Sequence, residues 1–253
     1  MPVENPEEPA VSVSLKVDGT VAIITLDDAP TRNAFTGESA GAFLDAIATV
    51  QHDPGVAALV LRGENGAFCS GAARPLLAAA RENPTDPTVL DGLGKVYQCF
   101  VAAGTVDVPV IAAMRGPAVG AGVNLALAAD VRIVSTETKL LSGFLKIGLH
   151  PGGGHFMLLD KIAGPQTSVA MTLLGEEVVG QKLVDLGLAW EALPDDQVDE
   201  RALELARRCT DPELARAATQ TFRAQTSSRQ LPWQSALRAE QAVQMWSMGR
   251  PKA

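Results

Sequence analysis

Few residues in this chain suit metal or disulfide chemistry, since its 253 residues include only three cysteines and three histidines. Cys69, Cys99 and Cys209 are odd in number and far apart, which argues against a disulfide framework and offers no zinc-type spacing. Reduced thiols fit a cytoplasmic setting. Positive charge is also short: 21 Lys and Arg against 29 Asp and Glu leave a net charge of −8. General nucleic-acid binding needs a basic face to neutralise phosphates and is therefore not expected. A few Arg, Lys and backbone N–H groups would still hold an anionic ligand locally. No apolar run approaches the roughly eighteen residues of a membrane span. The acidic, proline-rich start MPVENPEEPA lacks the basic and apolar regions of a signal peptide. The expectation is a soluble, cytoplasmic protein without a membrane partner.

The chain is 47% hydrophobic, enough for a large buried core. Residues 1–10 read as a disordered tail, 11–197 as the core and 198–253 as a helical C-terminal region. Val13 to Val17 and Val21 to Leu26 are β-rich runs around Asp18-Gly19, a hairpin signal. Ala40, Phe43, Leu44 and Ile47 share one face of a helix over Thr36 to Val50. Val56 to Arg62 and Val108 to Met114 are nearly all apolar, as in parallel strands covered on both faces. A helix over Val89 to Gly104 lies between them, and Val131 to Ser135 makes a further strand after a small-residue helix, Val123 to Ala129. Helices are expected near 155–163 and 165–174, after a glycine-rich loop at 148–154. Strand, helix and strand in this order predict an α/β fold built from βαβ units.

Two glycine-rich segments follow strands: Gly66-Ala67-Phe68-Cys69-Ser70-Gly71-Ala72-Ala73 and Gly116-Pro117-Ala118-Val119-Gly120-Ala121-Gly122. Small residues at strand-to-helix turns let a ligand approach backbone N–H groups, and a helix start adds its positive dipole end. Either loop alone equally well only turns the chain. Side by side, they would aim two N–H donors at one oxygen, as an oxyanion hole does.

With these loops in order, the sequence resembles the crotonase, or enoyl-CoA hydratase/isomerase, superfamily. The likeness also rests on Arg32-Asn33-Ala34, Ala129-Asp130-Val131-Arg132, Gly148 through Gly154 and Gly187-Leu188-Ala189. It implies a ClpP/crotonase-like fold of repeated ββα units in a spiral, with a C-terminal helical trimerisation region. It further implies an acyl-CoA thioester as ligand and a place in fatty-acid or related acyl-CoA metabolism. Coenzyme A would then be part of the substrate, with no tightly bound cofactor and no metal, and the assembly a trimer or a dimer of trimers. By position, the resemblance places oxyanion-hole N–H groups on Ser70 and Ala121. Arg32 would lie near the CoA phosphates, and Ala67, Phe68 and Ala72 along the adenine and pantetheine; a solvated loop charge remains the other reading of Arg32.

The pattern breaks where proton transfer is needed. The two positions at which hydratases of the family carry glutamates hold Asn124 and Phe144. Neither exchanges protons, so ordinary two-glutamate hydration is not expected. The loop position at which other branches place an aspartate holds Pro151 and Gly152. His150 is the remaining candidate base, followed by His155, each also readable as a loop or helix-cap residue. Ser70 is not read as a nucleophile, since no matching elbow, His and Asp pattern accompanies it. Two functions stay open: a lyase- or isomerase-type enzyme with non-standard acid/base residues, or a non-catalytic acyl-CoA-binding protein.

Overall fold

The hairpin forms as its Asp-Gly signal predicts, with β1 (Val13–Asp18) antiparallel to β2 (Val21–Leu26) and Val17 opposite Ala22. The computed structural model describes residues 12–226, 237–238, 240–241, 243–246 and 248–249. The tail expected over 1–10 lies outside the described residues. After β2 the chain enters α1 (Gly37–His52), where Thr36 and Ser39 cap each other reciprocally: Thr36 Oγ1 accepts from Ser39 N, and Ser39 Oγ from Thr36 N. Three parallel strands then build the sheet outward: β3 (Ala58–Gly63), β4 (Val110–Met114) and, after two elements described below, β6 (Val131–Ser135).

Residues 74–82, for which the pattern makes no assignment, form α2 (Arg74–Glu82). α3 (Pro87–Thr105) starts two residues before the expected helix, because Asp86 accepts from the N–H groups of Thr88 and Val89 and Pro87 fits the first turn. The turn at Gly116 to Gly122 contains a short strand, β5 (Ala118–Val119), before α4 (Ala121–Ala128). β5 pairs with β7 (Lys139–Leu141), and β7 with β8 (Val178–Val179), giving a second, three-stranded sheet that the sequence pattern did not predict. α5 (His155–Thr172) is two helical segments joined at Gly164 (φ 77°) and Pro165, at the break expected between 163 and 165. α6 (Gln181–Asp185) leads to β9 (Glu191–Leu193), which pairs parallel to β6 and closes the main sheet in the order β1-β2-β3-β4-β6-β9.

Alternation along the strands divides the core. Ala22, Ile24, Leu59, Leu61, Ala112 and Met114 face α1, α3 and α4, while Ile23, Ala58, Val60, Ile111, Ala113 and Ile133 face α7 (Val198–Ala206). Both faces are covered, which explains the continuous apolar runs. α8 (Pro212–Thr226) is held back on its own chain by arginines. Arg216 donates to the carbonyls of Val50, Gln51, Asp53 and Val56, and Arg223 donates to Gly104, Val106 and Val108 and pairs with Asp130. Among the described residues, no helix is long and apolar enough to cross a membrane.

Candidate active site

The two glycine loops meet because backbone of one runs against backbone of the other. Phe68 N donates to Pro117 O at 3.1 Å and Val119 N to Cys69 O at 3.0 Å. Gly122 has to be glycine, since a Cβ there would lie 2.0 Å from the Cys69 carbonyl oxygen. Asn33, in the left-handed region at φ 62°, ties a third segment to them: its Nδ2 donates to the carbonyls of Glu64 and Ala67, and its Oδ1 accepts from Asp28 N. The Asn of the Arg32-Asn33-Ala34 segment is therefore a structural clamp.

The loops border an apolar cavity of about 130 Å³, walled by Leu77, Leu93, Val96, Phe100 and Phe144 among others and reached by Ser70, Ala72, Gly120 and Ala121. Ala121 opens α4, so its N–H belongs to the first turn, where a helix has no internal acceptor for it. A Cβ built on Gly71 would stand 3.4 Å from that nitrogen, which measures how closely the two loops approach. Ser70 differs from the expectation. Its N–H donates to Arg32 O at 3.0 Å and its hydroxyl to Thr31 O at 2.6 Å, so both of its donors are held by the neighbouring loop.

The predicted CoA contacts divide in the same way. Arg32 is exposed and Ala72 lines the cavity, whereas Ala67 and Phe68 are wholly buried. Ala67 O accepts from Asn33 and Phe68 N donates to Pro117 O, so both residues hold the loop. His150 is not brought to the cavity: its Nδ1–H donates to the Pro151 carbonyl at 2.6 Å and its ring packs on Phe156.

His155, in the first turn of α5, is fully buried behind the cavity wall and bonds to two of the residues that line it. Asn124 Oδ1 lies 2.6 Å from its Nδ1 and Ser142 Oγ 2.6 Å from its Nε2, while Phe144 packs edge-on at 4.9 Å between ring centres. Burial pulls its pKa down to about 3, because a charged imidazolium loses its hydration there. Two further residues come from the far C-terminus. Gln244 lines the cavity, and Glu240 Oε2 accepts from the N–H groups of Gly154 and His155 at the start of α5. Desolvation raises Glu240 to about 6 against the opposing pull of those N–H groups. Ser142, Glu240 and Gln244 carry no sequence signal; only the tertiary fold places them here.

The description "Enoyl-CoA hydratase/isomerase" belongs to a family model that matches residues 16–249. The chain belongs to that family. Among relatives, a Mycobacterium tuberculosis protein named "Probable enoyl-CoA hydratase" is 41% identical over 217 residues, covering 85% of this chain and 82% of its own. The 1,2-epoxyphenylacetyl-CoA isomerase of Escherichia coli is 29% identical over 194 residues, covering 76% and 73%. Among solved structures, an enoyl-CoA hydratase from Bacillus halodurans superposes with a TM-score of 0.86 over 94% of this chain and 96% of its own. At 21% identity that likeness bears on the fold alone, which is the crotonase fold. As a family member the chain falls within acyl-CoA metabolism. At the two positions where the family resemblance leads one to expect glutamates it presents Asn124, bonded to His155, and Phe144, packed on the same ring.

Proposed function

We propose that this protein binds an acyl-CoA thioester with the acyl chain in the apolar cavity and the thioester oxygen at the Ala121 N–H, and stabilises negative charge developing on that oxygen. The observation behind this reading is that Ala121, whose N–H lies in the first turn of α4, lines an apolar cavity beside the 66–73 loop. Ser70 N–H supplies the second donor once the thioester oxygen competes for it with the Arg32 carbonyl, its present acceptor. Exposed Arg32 serves the CoA phosphates, with Ala72 along the thioester arm. Two-glutamate hydration has no support in these side chains, because an amide and a phenyl ring do not exchange protons. Loss of both carboxylates also favours a second reading, a non-catalytic acyl-CoA-binding protein.

Isothermal titration with crotonyl-CoA and with a long-chain acyl-CoA tests the proposal, while absorbance of the conjugated enoyl thioester is followed in the crotonyl-CoA sample. Binding of both is expected, with no hydrated product formed from crotonyl-CoA. Failure of the folded protein to bind either ligand would sink the proposal. Rapid loss of the enoyl absorbance without release of free thiol would instead show hydration by a group other than glutamates at positions 124 and 144.

A further inference from the structure

One chain of hydrogen bonds in the cavity wall runs from Asn124, at one of the expected carboxylate positions, through His155 to Ser142. Asn124 Nδ2 donates to the Gly152 carbonyl at 2.8 Å, which turns its Oδ1 toward His155. An amide oxygen only accepts, so the proton sits on His155 Nδ1 and Nε2 is left as a bare acceptor. Ser142 Oγ, 2.6 Å away, therefore donates its proton to Nε2. Asn124 and Ser142 are each 1% exposed, and both border the cavity. The backbone on either side is also joined: Gly120 N donates to Leu141 O, next to Ser142, and Gly120 directly precedes Ala121. A hydroxyl whose proton already points at an imidazole, itself oriented through its far N–H by a third group, is the arrangement of an activated nucleophile. At 2.6 Å no water lies between Ser142 Oγ and the ring.

We propose that Ser142 is a nucleophile and that this protein hydrolyses acyl-CoA thioesters through an acyl-serine. The proposal rests on the acyl-CoA reading of the cavity. Ser142 Oγ bonds to the thioester carbonyl carbon as its proton moves to His155 Nε2, and the carbonyl π pair moves to the oxygen at the Ala121 N–H. Collapse of the tetrahedral adduct breaks the C–S bond, and the departing sulfur takes the proton from His155 to leave as the CoA thiol. Water then attacks the acyl-serine ester and gives a proton to His155, which returns it to Ser142 Oγ as the carboxylic acid leaves. The sum is thioester plus water to acid plus thiol, with no oxidant or reductant. Burial disfavours a lone imidazolium, but one formed together with the oxyanion is half of an ion pair in a low-dielectric site. Asn124 is a positioning residue in this scheme.

The test supplies butyryl-CoA and octanoyl-CoA to the full chain, measures free thiol, and weighs the intact protein for an acyl adduct. A thioether analogue, which cannot be cleaved, reports binding separately. Thiol release and an adduct on Ser142 are expected for the native protein. In Ser142→Ala, release falls by on the order of 10³ or more while analogue affinity stays within about twofold. Ser142→Cys keeps a nucleophile in place and still forms an adduct, which guards against misreading a folding defect. Asn124→Asp, which retains an acceptor toward Nδ1, keeps more of kcat than Asn124→Leu at similar KM. Thiol release by Ser142→Ala at the native rate, or analogue binding by native protein with neither thiol nor adduct, overturns the proposal alone. Absence of analogue binding removes the acyl-CoA reading and this proposal with it.

Discussion

His155 is held neutral by its surroundings, and that has a measurable consequence for stability. Its pKa falls from 6.5 to about 3 on folding, so the unfolded chain binds its proton first as the solution is acidified. The stabilisation is fully present above pH 6.5 and is lost as the pH falls toward 3, at about 1.4 kcal/mol per unit. Glu240 has the opposite sign, since its pKa rises from 4.5 to about 6. Its contribution is complete below 4.5 and is lost as the pH rises through 6. Urea unfolding of the native protein and of His155→Gln at pH 7 and pH 4 separates the two effects. The native protein is the more stable at pH 7, and the gap narrows by about 3 kcal/mol at pH 4. Parallel pH curves for the two proteins would mean that the imidazole takes up its proton in the folded state.

At the scale of elements, the site depends on how closely the 66–73 loop and the start of α4 approach. Both Gly71, at φ 100° and with a Cβ position 2.7 Å from Val119 O, and Gly122 allow this contact. A methyl group at Gly122 meets backbone, which cannot rotate aside as a side chain does. Gly122→Ala is expected to cost on the order of 3 kcal/mol in chemical denaturation. It should also weaken acyl-CoA binding more than Gly41→Ala, where an added Cβ meets nothing within 4 Å. Equal binding by the two variants would remove the loop-to-helix contact from the account of the site.

Over the whole molecule, residues more than eighty positions apart in sequence complete one cavity. Glu240 caps α5, Gln244 lines the wall, and Met248 is 2% exposed in a cluster with Ala80, Val89, Leu93 and Phe144. In the described residues, then, the expected trimerisation region also covers its own chain's site. Met248→Ala should destabilise by about 3 kcal/mol, the usual range for a buried Met cut to Ala. The loss should not change with protein concentration, as measured by urea midpoints over a hundredfold dilution. A concentration-dependent midpoint would place this segment on a second copy.

How much of this was legible in the chain depended on the range of the interaction. The strands β2, β3 and β4, helix α1 and the break at Gly164-Pro165 follow from local periodicity and backbone chemistry, which act within a few residues. The pair of glycine loops, and with them the family, follow from short motifs in a fixed order. The sequence by itself also determined that positions 124 and 144, where the resemblance leads one to expect carboxylates, hold Asn and Phe. It did not determine what serves in place of carboxylates. His150 and His155 stand equally close to the same glycines, and only the start of α5 under Asn124 and Ser142 bonds one ring to two residues that line the cavity while the other packs on Phe156. The occupied N–H of Ser70, the buried Phe68 and the Glu240 cap were likewise decided by tertiary structure. A hydrogen bond between residues tens of positions apart leaves no periodic trace in either segment, so only the folded chain shows it.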